Sequence, residues 1–264
     1  MGSNRKTLFL LGIFAVSLFL TPILFQELAS ANQDYNYFEL AKIEDTDEPF
    51  CFAVAGDPQF NRYGHSDEVF GWVMADVNNK DFKFLIVNGD LVQSGFDKQY
   101  NDYFNAINQS ATPVISVIGN HDVRMGGRSR YENTFGVQTY FNFTVGDNQF
   151  IVLDTADHEL GAEQLNWLET KLQDSSRTVI VTHIPRASLD DADHFTTLIE
   201  EYPPALIIYS HNHNYYNVVV GDTEVIITDS AGGGELPESY ISVCVAENQI
   251  THEQIFAPAS IFEV

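Results

Sequence analysis

The feature that most constrains the fold is a short apolar run followed at once by a polar turn, a pairing that occurs five times. The five runs occupy residues 50–55, 82–87, 113–117, 178–182 and 205–209. Segments with apolar residues at helical spacing, 66–79 and 99–108, separate the first three runs. This β-α-β-α-β order favours parallel strands with helices packed on the sheet.

The rest of the chain is expected to continue the same α/β domain, because no internal repeat, low-complexity tract or linker interrupts it. We expect an irregular lead-in over residues 32–49 and a loop followed by a hairpin over 131–148. Another strand is predicted at 150–153, with helices at 160–173 and 192–201. In the C-terminal part, apolar and polar residues alternate, which is typical of antiparallel strands.

The polar turns carry side chains of one chemical kind. They are Asp57 and Gln59, Asp90, Asn120 and His121, His183, and His211 and His213. Sites in open α/β sheets gather beyond the carboxyl ends of the strands, so these turns can converge. Oxygen and imidazole donors without thiolate suit Mn, Fe, Zn or Ni, and a carboxylate such as Asp90 can bridge two ions. For Asn-His-Asp taken alone, a polar turn after a strand would be the simpler interpretation.

The chain is strongly acidic. Its 37 Asp and Glu residues oppose 13 Lys and Arg residues, which gives a formal net charge of −24 over 264 residues. Such a surface repels polyanions, so the composition argues against binding a nucleic-acid polymer. The acidic residues are scattered, which favours a solvated acidic shell, as in proteins adapted to salt, over an acidic tail.

The amino terminus is predicted to be a signal peptide spanning residues 1–31. A basic start precedes an apolar run over residues 7–25, and Ala29-Ser30-Ala31 provides a cleavage site. The competing interpretation is an uncleaved membrane anchor, because this run approaches the ~20 residues that span a bilayer. The small-residue triplet favours cleavage. We therefore expect residues 32–264 to form an exported domain, secreted or periplasmic, or alternatively one anchored on the outer face of a membrane.

Cys51 and Cys244 are the two cysteines of the chain. An exported protein could join them, since both lie on strand-like runs near the ends of the mature chain. Two buried free thiols are equally compatible, because the sequence does not give the Cα separation that a disulfide needs. Neither cysteine is near the polar turns, which argues against a cysteine nucleophile.

Taken in order, the polar turns resemble the motifs of the calcineurin-like metallophosphoesterase superfamily, in its purple acid phosphatase and phosphodiesterase-like branch. The motifs are Asp57-x-Gln59, Gly89-Asp90, Gly119-Asn120-His121-Asp122, His183 and His211-x-His213. Each motif is weak alone, but the five in this order are highly specific and span nearly all of the mature chain. The resemblance implies a four-layer α/β/β/α sandwich of two mixed sheets flanked by helices, over residues 32–264.

The resemblance also implies a centre with two divalent or trivalent metal ions. The first ion would be bound by Asp57, Gln59 and His213, the second by Asn120, His183 and His211, and Asp90 would bridge them. His121 would not be a ligand but the general acid that protonates the departing oxygen. The two ions, with Mn, Fe, Zn and Ni as candidates, would neutralise the ester so that a metal-bound hydroxide attacks phosphorus.

Two positions depart from the usual family pattern. Gln59 stands where most members have histidine, and a neutral amide oxygen is a weaker donor than imidazole for borderline metals. This substitution leaves the identity and occupancy of the first metal open. Ser210 stands where glycine is usual, which is a smaller concern.

For several residues near the motifs, the sequence allows two interpretations. Asp122 either orients His121 or accepts backbone hydrogen bonds in the turn. Arg124 either holds a substrate oxygen by a charge-assisted bond or lies on the surface of a glycine-containing loop. The remaining histidines are expected on the surface, although the first and third follow site loops and could line the pocket: His65, His158, His194 and His252.

We therefore expect a secreted phosphoesterase whose partner is a small phosphorylated substrate. A phosphodiesterase for cyclic nucleotides or lipid head groups would use the same metals and is the alternative among enzymes. A binding or scaffold protein with weakened metals is the alternative from another class, and Gln59 is its only support. A membrane would be a partner only if the amino-terminal segment is uncleaved.

Overall fold

In a computed structural model of the protein, the described residues are 35–46, 49–62, 65–174, 177–234, 237–247 and 249–262. The expected signal segment, residues 1–31, lies outside them. Among the described residues, no helix has the length and apolar character needed to cross a membrane. The choice between a signal peptide and an anchor therefore stays a prediction.

Strands and helices alternate along most of the described chain. The strands are β1 Phe50–Ala55, β2 Leu85–Asn88, β3 Val114–Val117, β4 Phe141–Val145, β5 Asn148–Leu153, β6 Thr178–Thr182, β7 Leu206–Tyr209, β8 Tyr216–Val220, β9 Thr223–Ile227, β10 Ser239–Ala246 and β11 Gln249–Phe256. The α-helices are α1 Tyr35–Leu40, α2 Ser66–Asn78, α3 Asp97–Ile107, α4 Gly127–Phe135, α5 Gly161–Gln173 and α6 Ala192–Glu201.

The strands form two mixed sheets. The first has the order β11-β10-β1-β2-β3, and the second has the order β4-β5-β6-β7-β9-β8. Strands β1, β2 and β3 are parallel, as are β5, β6, β7 and β9. The carboxyl ends of β1, β2 and β3 therefore meet at one edge of the first sheet, and those of β6 and β7 at one edge of the second.

The two sheets pack face to face through a buried apolar layer. The Phe84 ring centroid lies 5.1 Å from that of Phe52 and 5.3 Å from that of Phe150, which belongs to the other sheet. Burying each such ring stabilises the fold by about 1.5–3 kcal/mol. Helices α2, α3 and α4 cover the outer face of the first sheet, and α5 and α6 cover that of the second. These four layers confirm the predicted α/β/β/α fold class.

The expected irregular lead-in contains a helix, α1, that covers the open edge of β3. Asn36 donates from Nδ2 to the carbonyl oxygen of Ser116 (2.8 Å) and accepts from its N–H (2.9 Å). The Val114 N–H donates to Oε2 of Glu39 (3.2 Å). These side chains pair backbone groups that an edge strand would otherwise leave open. The sequence expectation was wrong here because the contacts that hold α1 come from a distant strand.

The expectation of a loop starting at residue 131 is also wrong, since residues 127–135 form α4. Glycines flank this helix: Gly126 has φ 75° and Gly136 has φ 117°. Tyr131 is buried and donates from its hydroxyl to the carbonyl oxygen of Ser116 (2.6 Å). The hairpin expected after the loop is confirmed as β4 and β5.

The two cysteines form a disulfide between β1 and β10. Cys51 lies directly opposite Cys244 in the antiparallel register of these strands, and their Cα atoms are 4.0 Å apart. The disulfide is therefore the alternative that the structure adopts. Cys51 lies near the start of β1, whereas the first polar turn follows the end of that strand.

Candidate metal centre

The polar turns converge where the two sheets meet, as the strand pattern predicted. The first sheet contributes Asp57, Gln59, Asp90, Asn120 and His121, and the second contributes His183, His211 and His213. Two contacts join the sheets at this edge: His183 Nε2 lies 3.3 Å from Asp90 Oδ1, and His213 Nε2 lies 3.1 Å from Asp57 Oδ1. The role of each residue as a ligand stays a prediction.

Asp90 lies between the two halves of the centre. Its Oδ1 faces His183 and accepts a hydrogen bond from the backbone N–H of His121 (2.7 Å). Its Oδ2 accepts a hydrogen bond from Nε2 of Gln59 (3.0 Å). One carboxylate oxygen thus faces a residue expected at the second metal, and the other faces a residue expected at the first. This placement is the one a bridging ligand requires.

The other side chains fall into the same two groups. Asp57 contacts His213 through Oδ1 and accepts the backbone N–H of His211 at Oδ2 (2.9 Å). His183 Nε2 lies 3.2 Å from Oδ1 of Asn120, and the His183 and His211 ring centroids are 5.2 Å apart. The contacts of Asp57 with His213 and of His183 with Asn120 join residues expected at the same metal. Asp57 also lies close to the second group, through the His211 N–H and through His183 Nε2, 3.9 Å from its Oδ1.

The donor atoms fit a metal ion. One ligand atom from each of Asp90, His183 and His211 lies within 4.8 Å of the others. Nδ1 of His211 is buried and has no hydrogen-bond partner in the part of the chain that the structure describes. A buried polar atom without a partner is rare in proteins because its desolvation is not compensated. An imidazole nitrogen left open beside a carboxylate and a second imidazole is a suitable metal ligand.

Five of the seven expected ligands have a left-handed backbone. Their φ angles are 51° for Asp57, 40° for Gln59, 51° for Asp90, 72° for His211 and 51° for His213. A non-glycine residue in a sparsely populated conformation costs about 1–3 kcal/mol and clusters at functional sites. Gly89 allows the close approach of the sheets, since a Cβ there would lie 2.4 Å from His183 Nδ1. The turns therefore hold these side chains in place at the expense of local stability.

His183 and Asp90 are both buried and lie within ion-pair distance of each other. Burial would lower the pKa of His183, but the charges of Asp90 and Asp57 outweigh it and raise that pKa to about 10. Burial would raise the pKa of Asp90, but His183 and His121 hold it below its usual value. A metal ion at His183 must displace this proton, so metal binding and proton release are coupled.

His121 lies beside Asp90 at the rim of the centre. Its Nδ1 lies 2.8 Å from the carbonyl oxygen of Gln93, which accepts a hydrogen bond in the tautomer that carries Nδ1–H. The other ring nitrogen, Nε2, lies 3.7 Å from Asp90 Oδ2. Burial, with a contribution from Arg124, lowers the pKa of His121 despite the opposing charge of Asp90. Arg124 Nη1 lies 2.9 Å from the same Nδ1, which can accept a hydrogen bond from it only in the other tautomer. The contact places the guanidinium at this rim.

Asp122 fixes the turn, and its carboxylate hydrogen bonds among the described residues are to backbone N–H groups. Its carboxylate accepts backbone hydrogen bonds from Gly119 (2.8 Å), Val92 (3.1 Å) and Leu91 (3.2 Å). Burial raises the pKa of Asp122, and the charge of Asp90 adds to that shift while the three N–H groups oppose it. Of the two interpretations left open by the sequence, the structure supports backbone binding.

The substitution of Ser210 for glycine is accommodated by a neighbouring glycine. The Ser210 hydroxyl is buried and lies 2.8 Å from the Thr228 hydroxyl. A Cβ at Gly56 would lie 2.5 Å from Ser210 Oγ, so the extra atoms at position 210 occupy the space that Gly56 leaves. Ser210 therefore fits at this position without a steric clash.

His158, expected on the surface, is partly exposed and lies next to the centre. Its ring centroid is 6.0 Å from that of His211, and its own backbone is left-handed, with φ 63°. Nδ1 of His158 lies 3.3 Å from the carbonyl oxygen of Ser188. No local pattern signals this placement. His252 contacts Tyr215, which follows His213 by two residues, and Glu224 of β9.

A buried acid, Glu238, lies close to His65. His65 Nε2 is 3.5 Å from Oε1 of Glu238, which is fully buried. Burial raises the pKa of Glu238 to about 7, and the charge of Asp229 adds to the shift. Since the same group titrates near 4.3 in an unfolded chain, the folded protein holds the extra proton between about pH 4.3 and 7. Stability should therefore fall as pH rises through this window and stay reduced above it.

Glu238→Gln is expected to remove the loss of stability that Glu238 causes as the pH rises. In the metal-free protein the substitution should increase the free energy of unfolding more at pH 8 than at pH 5, by about 2 kcal/mol. Urea denaturation at the two pH values measures the difference. The exposed Glu159→Gln provides the control and should show no such dependence. An equal effect of Glu238→Gln at both pH values would mean that Glu238 is ionised throughout.

A family model described as calcineurin-like phosphoesterase matches residues 51–215. The match covers more than half of the chain, and the protein therefore belongs to the calcineurin-like phosphoesterase family. The expected motifs, from Asp57-x-Gln59 to His211-x-His213, all fall inside the matched range. Family membership and the donor set together support a metal-dependent phosphoric ester hydrolase.

Individual relatives agree with this family. A probable cyclic nucleotide phosphodiesterase from Synechococcus sp. is 24% identical over 162 residues, which are 56% of this chain and 60% of that protein. The chain spans 60–65% of the length of the curated relatives it matches.

Solved structures show the same fold. A dimetal phosphatase from Danio rerio has a TM-score of 0.69 and 12% identity, covering 78% of this chain and 96% of that one. A purple acid phosphatase from yellow lupin has a TM-score of 0.61 and 13% identity, covering 79% of this chain and 52% of that one.

Proposed function

We propose that the protein hydrolyses phosphate esters at a two-metal centre. Asp90 carries this proposal, because its two oxygens face His183 and Gln59 separately, at 3.3 and 3.0 Å. The ligands proposed for the first ion are Asp57, Gln59 and His213, and those for the second are Asn120, His183 and His211, with Asp90 between them. Mn, Fe, Zn and Ni suit these oxygen and imidazole donors.

The residues around the centre have distinct tasks. Bound ions would neutralise the phosphate ester and lower the pKa of the attacking water. His121 donates the proton that the leaving oxygen needs, from Nε2, while the Gln93 carbonyl oxygen holds the ring through Nδ1. Asp122 keeps the turn that carries His121 attached to the loop after β2. Arg124 supplies a positive charge at the same rim, where a phosphate oxygen can accept a hydrogen bond.

Metal reconstitution tests the proposal. Purified protein is stripped with a chelator, resupplied with Mn, Fe, Zn or Ni, and assayed with phosphate monoesters and diesters in parallel. We expect hydrolysis to require metal and to return with at least one of the four. Hydrolysis by enzyme shown to contain no metal would contradict the two-metal proposal. Absence of hydrolysis with every metal and both ester classes would favour the binding or scaffold alternative.

A cyclic nucleotide phosphodiesterase is the second candidate. The observation that favours it is the name of the relative from Synechococcus sp., a probable cyclic nucleotide phosphodiesterase. The acidic composition supports a small substrate over a nucleic-acid polymer in either case. Faster hydrolysis of cyclic nucleotides than of monoesters in the same assay would select this candidate, and the reverse would exclude it.

We also propose that the protein is exported and that its mature chain begins at Asn32. The apolar segment followed by Ala29-Ser30-Ala31 supports cleavage at this point, and the Cys51–Cys244 disulfide suits an oxidising compartment. Amino-terminal sequencing of protein from its native host, after separation of membrane and soluble fractions, is expected to give Asn32. An intact start on membrane-bound protein would support the anchor instead.

A further inference from the structure

The Gln59 side chain links Asp90 to a cation. Gln59 is 1% exposed. Its Nε2 donates to Asp90 Oδ2 (3.0 Å), and its Oε1 accepts a hydrogen bond from Nη1 of Arg62. Arg62 follows Gln59 by three residues in the turn after β1, and its N–H donates back to the carbonyl oxygen of Gln59 (2.9 Å). The guanidinium is therefore separated from Asp90 by one amide group.

The chemistry of the two partners fixes the orientation of this amide. A guanidinium has only donors, so the Gln59 atom facing Arg62 must be the oxygen. A carboxylate has only acceptors, so the atom facing Asp90 must be the nitrogen. The backbone of Gly233 encloses the amide, since a Cβ there would lie 2.6 Å from Oε1. In this arrangement the amide nitrogen, which cannot bind a cation, faces the centre, and the oxygen that could bind one is held by Arg62.

The charge of Arg62 also disfavours metal binding at the first position. A metal ion between Asp57, Gln59 and Asp90 would approach a permanent positive charge that already interacts with a proposed ligand. Like charges at such a separation repel by an amount that depends on the local dielectric but exceeds the thermal energy at partly buried sites. Arg62 is only partly buried, so salt reduces this repulsion without abolishing it.

Among the described residues, the contacts of the ligands proposed for the second site include no arginine or lysine side chain. His183 is oriented by the carbonyl oxygen of Asn88, 2.9 Å from Nδ1, and its Nε2 faces Asn120 and Asp90. Nδ1 of His211 has no hydrogen-bond partner among the described residues. Ligand atoms of Asp90, His183 and His211 already lie within 4.8 Å of one another. A metal ion that binds here replaces a proton on an imidazole, and that proton can leave the protein, whereas the charge of Arg62 is permanent.

We propose that Arg62 and Gln59 make the two metal positions unequal. The second position, at Asn120, His183 and His211, binds first and tightly. The first position binds weakly, because the ion must displace Arg62 from the Gln59 oxygen and remain near its charge. The inference rests on the proposed two-metal function and adds to it a loading order set by residues outside the ligand set.

Calorimetric titration of the metal-free full-length protein with Mn²⁺ tests this inference, with bound metal counted after equilibrium dialysis. The wild type is expected to give two binding events that differ in affinity by about tenfold or more. Arg62→Ala should tighten the weak event by about tenfold and leave the strong event unchanged. Gln59→His should also tighten the weak event, since it supplies an imidazole. Arg62→Lys retains the charge and should keep the weak event weak.

Arg186→Ala is the matched control. Arg186 follows His183 by three residues at the same edge, and its guanidinium lies 3.4 Å from the Thr196 hydroxyl. Removing this charge should change neither binding event. Two events of equal affinity in the wild type, or a weak event that Arg62→Ala leaves unchanged, would overturn the inference alone. A single event in every variant, Gln59→His included, would overturn the two-metal function as well.

Discussion

Asp90→Asn is expected to lower phosphoester hydrolysis by about 10³-fold or more. A metal centre contributes several kcal/mol of transition-state stabilisation, and each 1.36 kcal/mol is a factor of ten in rate. Asparagine keeps the shape of the side chain but removes the negative charge shared by both proposed metals. Asparagine also replaces one carboxylate oxygen by an NH₂ group, which cannot accept a hydrogen bond. Either the His121 N–H or the Gln59 amide would then lose its acceptor.

Turnover and metal content measured on the same preparation test this expectation. Asp90→Asn should lose both, whereas Asp222→Asn, in the exposed turn between β8 and β9, should retain both. Circular dichroism would establish that the Asp90 variant is folded. Full activity in that variant would show that the carboxylate does not bridge two ions that matter for the reaction.

His121→Ala is expected to lower turnover by 10²–10⁴-fold while leaving metal content intact. Nε2 of His121 lies 3.7 Å from Asp90 Oδ2, and Nδ1 lies beside the carbonyl oxygen of Gln93. A general acid matters most when the leaving oxygen is strongly basic. The loss should therefore shrink for nitrophenyl esters, whose leaving oxygens need little protonation.

His211→Ala provides the contrast. Its ring nitrogen lies in the cluster of possible ligand atoms with Asp90 and His183, so its removal should lower metal content and the hydrolysis of all substrates together. Metal analysis and a series of esters with different leaving groups separate the two behaviours. If His121→Ala also lost metal, or slowed good and poor leaving groups equally, the role given to His121 would be wrong.

The parts of the fold that the sequence predicts are those held by local patterns. Residues 178–182 and 192–201 form β6 and α6 as expected, because apolar spacing within each segment is enough to define a buried face. Helix α1 could not be predicted in this way, since Asn36 and Glu39 bond to the edge of β3, about 80 residues away. Helix α4 was missed because Gly136, which indicated a loop, marks the end of this helix.

The same distinction applies to the centre. The strand ends carry their polar residues in the sequence itself, so convergence within each sheet follows from parallel pairing, whereas the meeting of the two sets depends on how the sheets pack. The task of Asp122 depended on which backbone groups lie opposite it, and the place of His158 depended on the path of a loop. The link from Arg62 through Gln59 to Asp90 joins two different turns. Only the tertiary structure determines such contacts.

The disulfide has a consequence for the chain as a whole. Cys51 and Cys244 are 193 positions apart, so their bond closes most of the described chain, including every proposed ligand, into one covalent ring. A protease that cuts a surface loop once within this ring opens it without releasing a fragment. The nicked molecule keeps its mass apart from one added water and migrates as two pieces only after reduction. In a compartment rich in proteases, a single cut therefore leaves both sheets covalently joined.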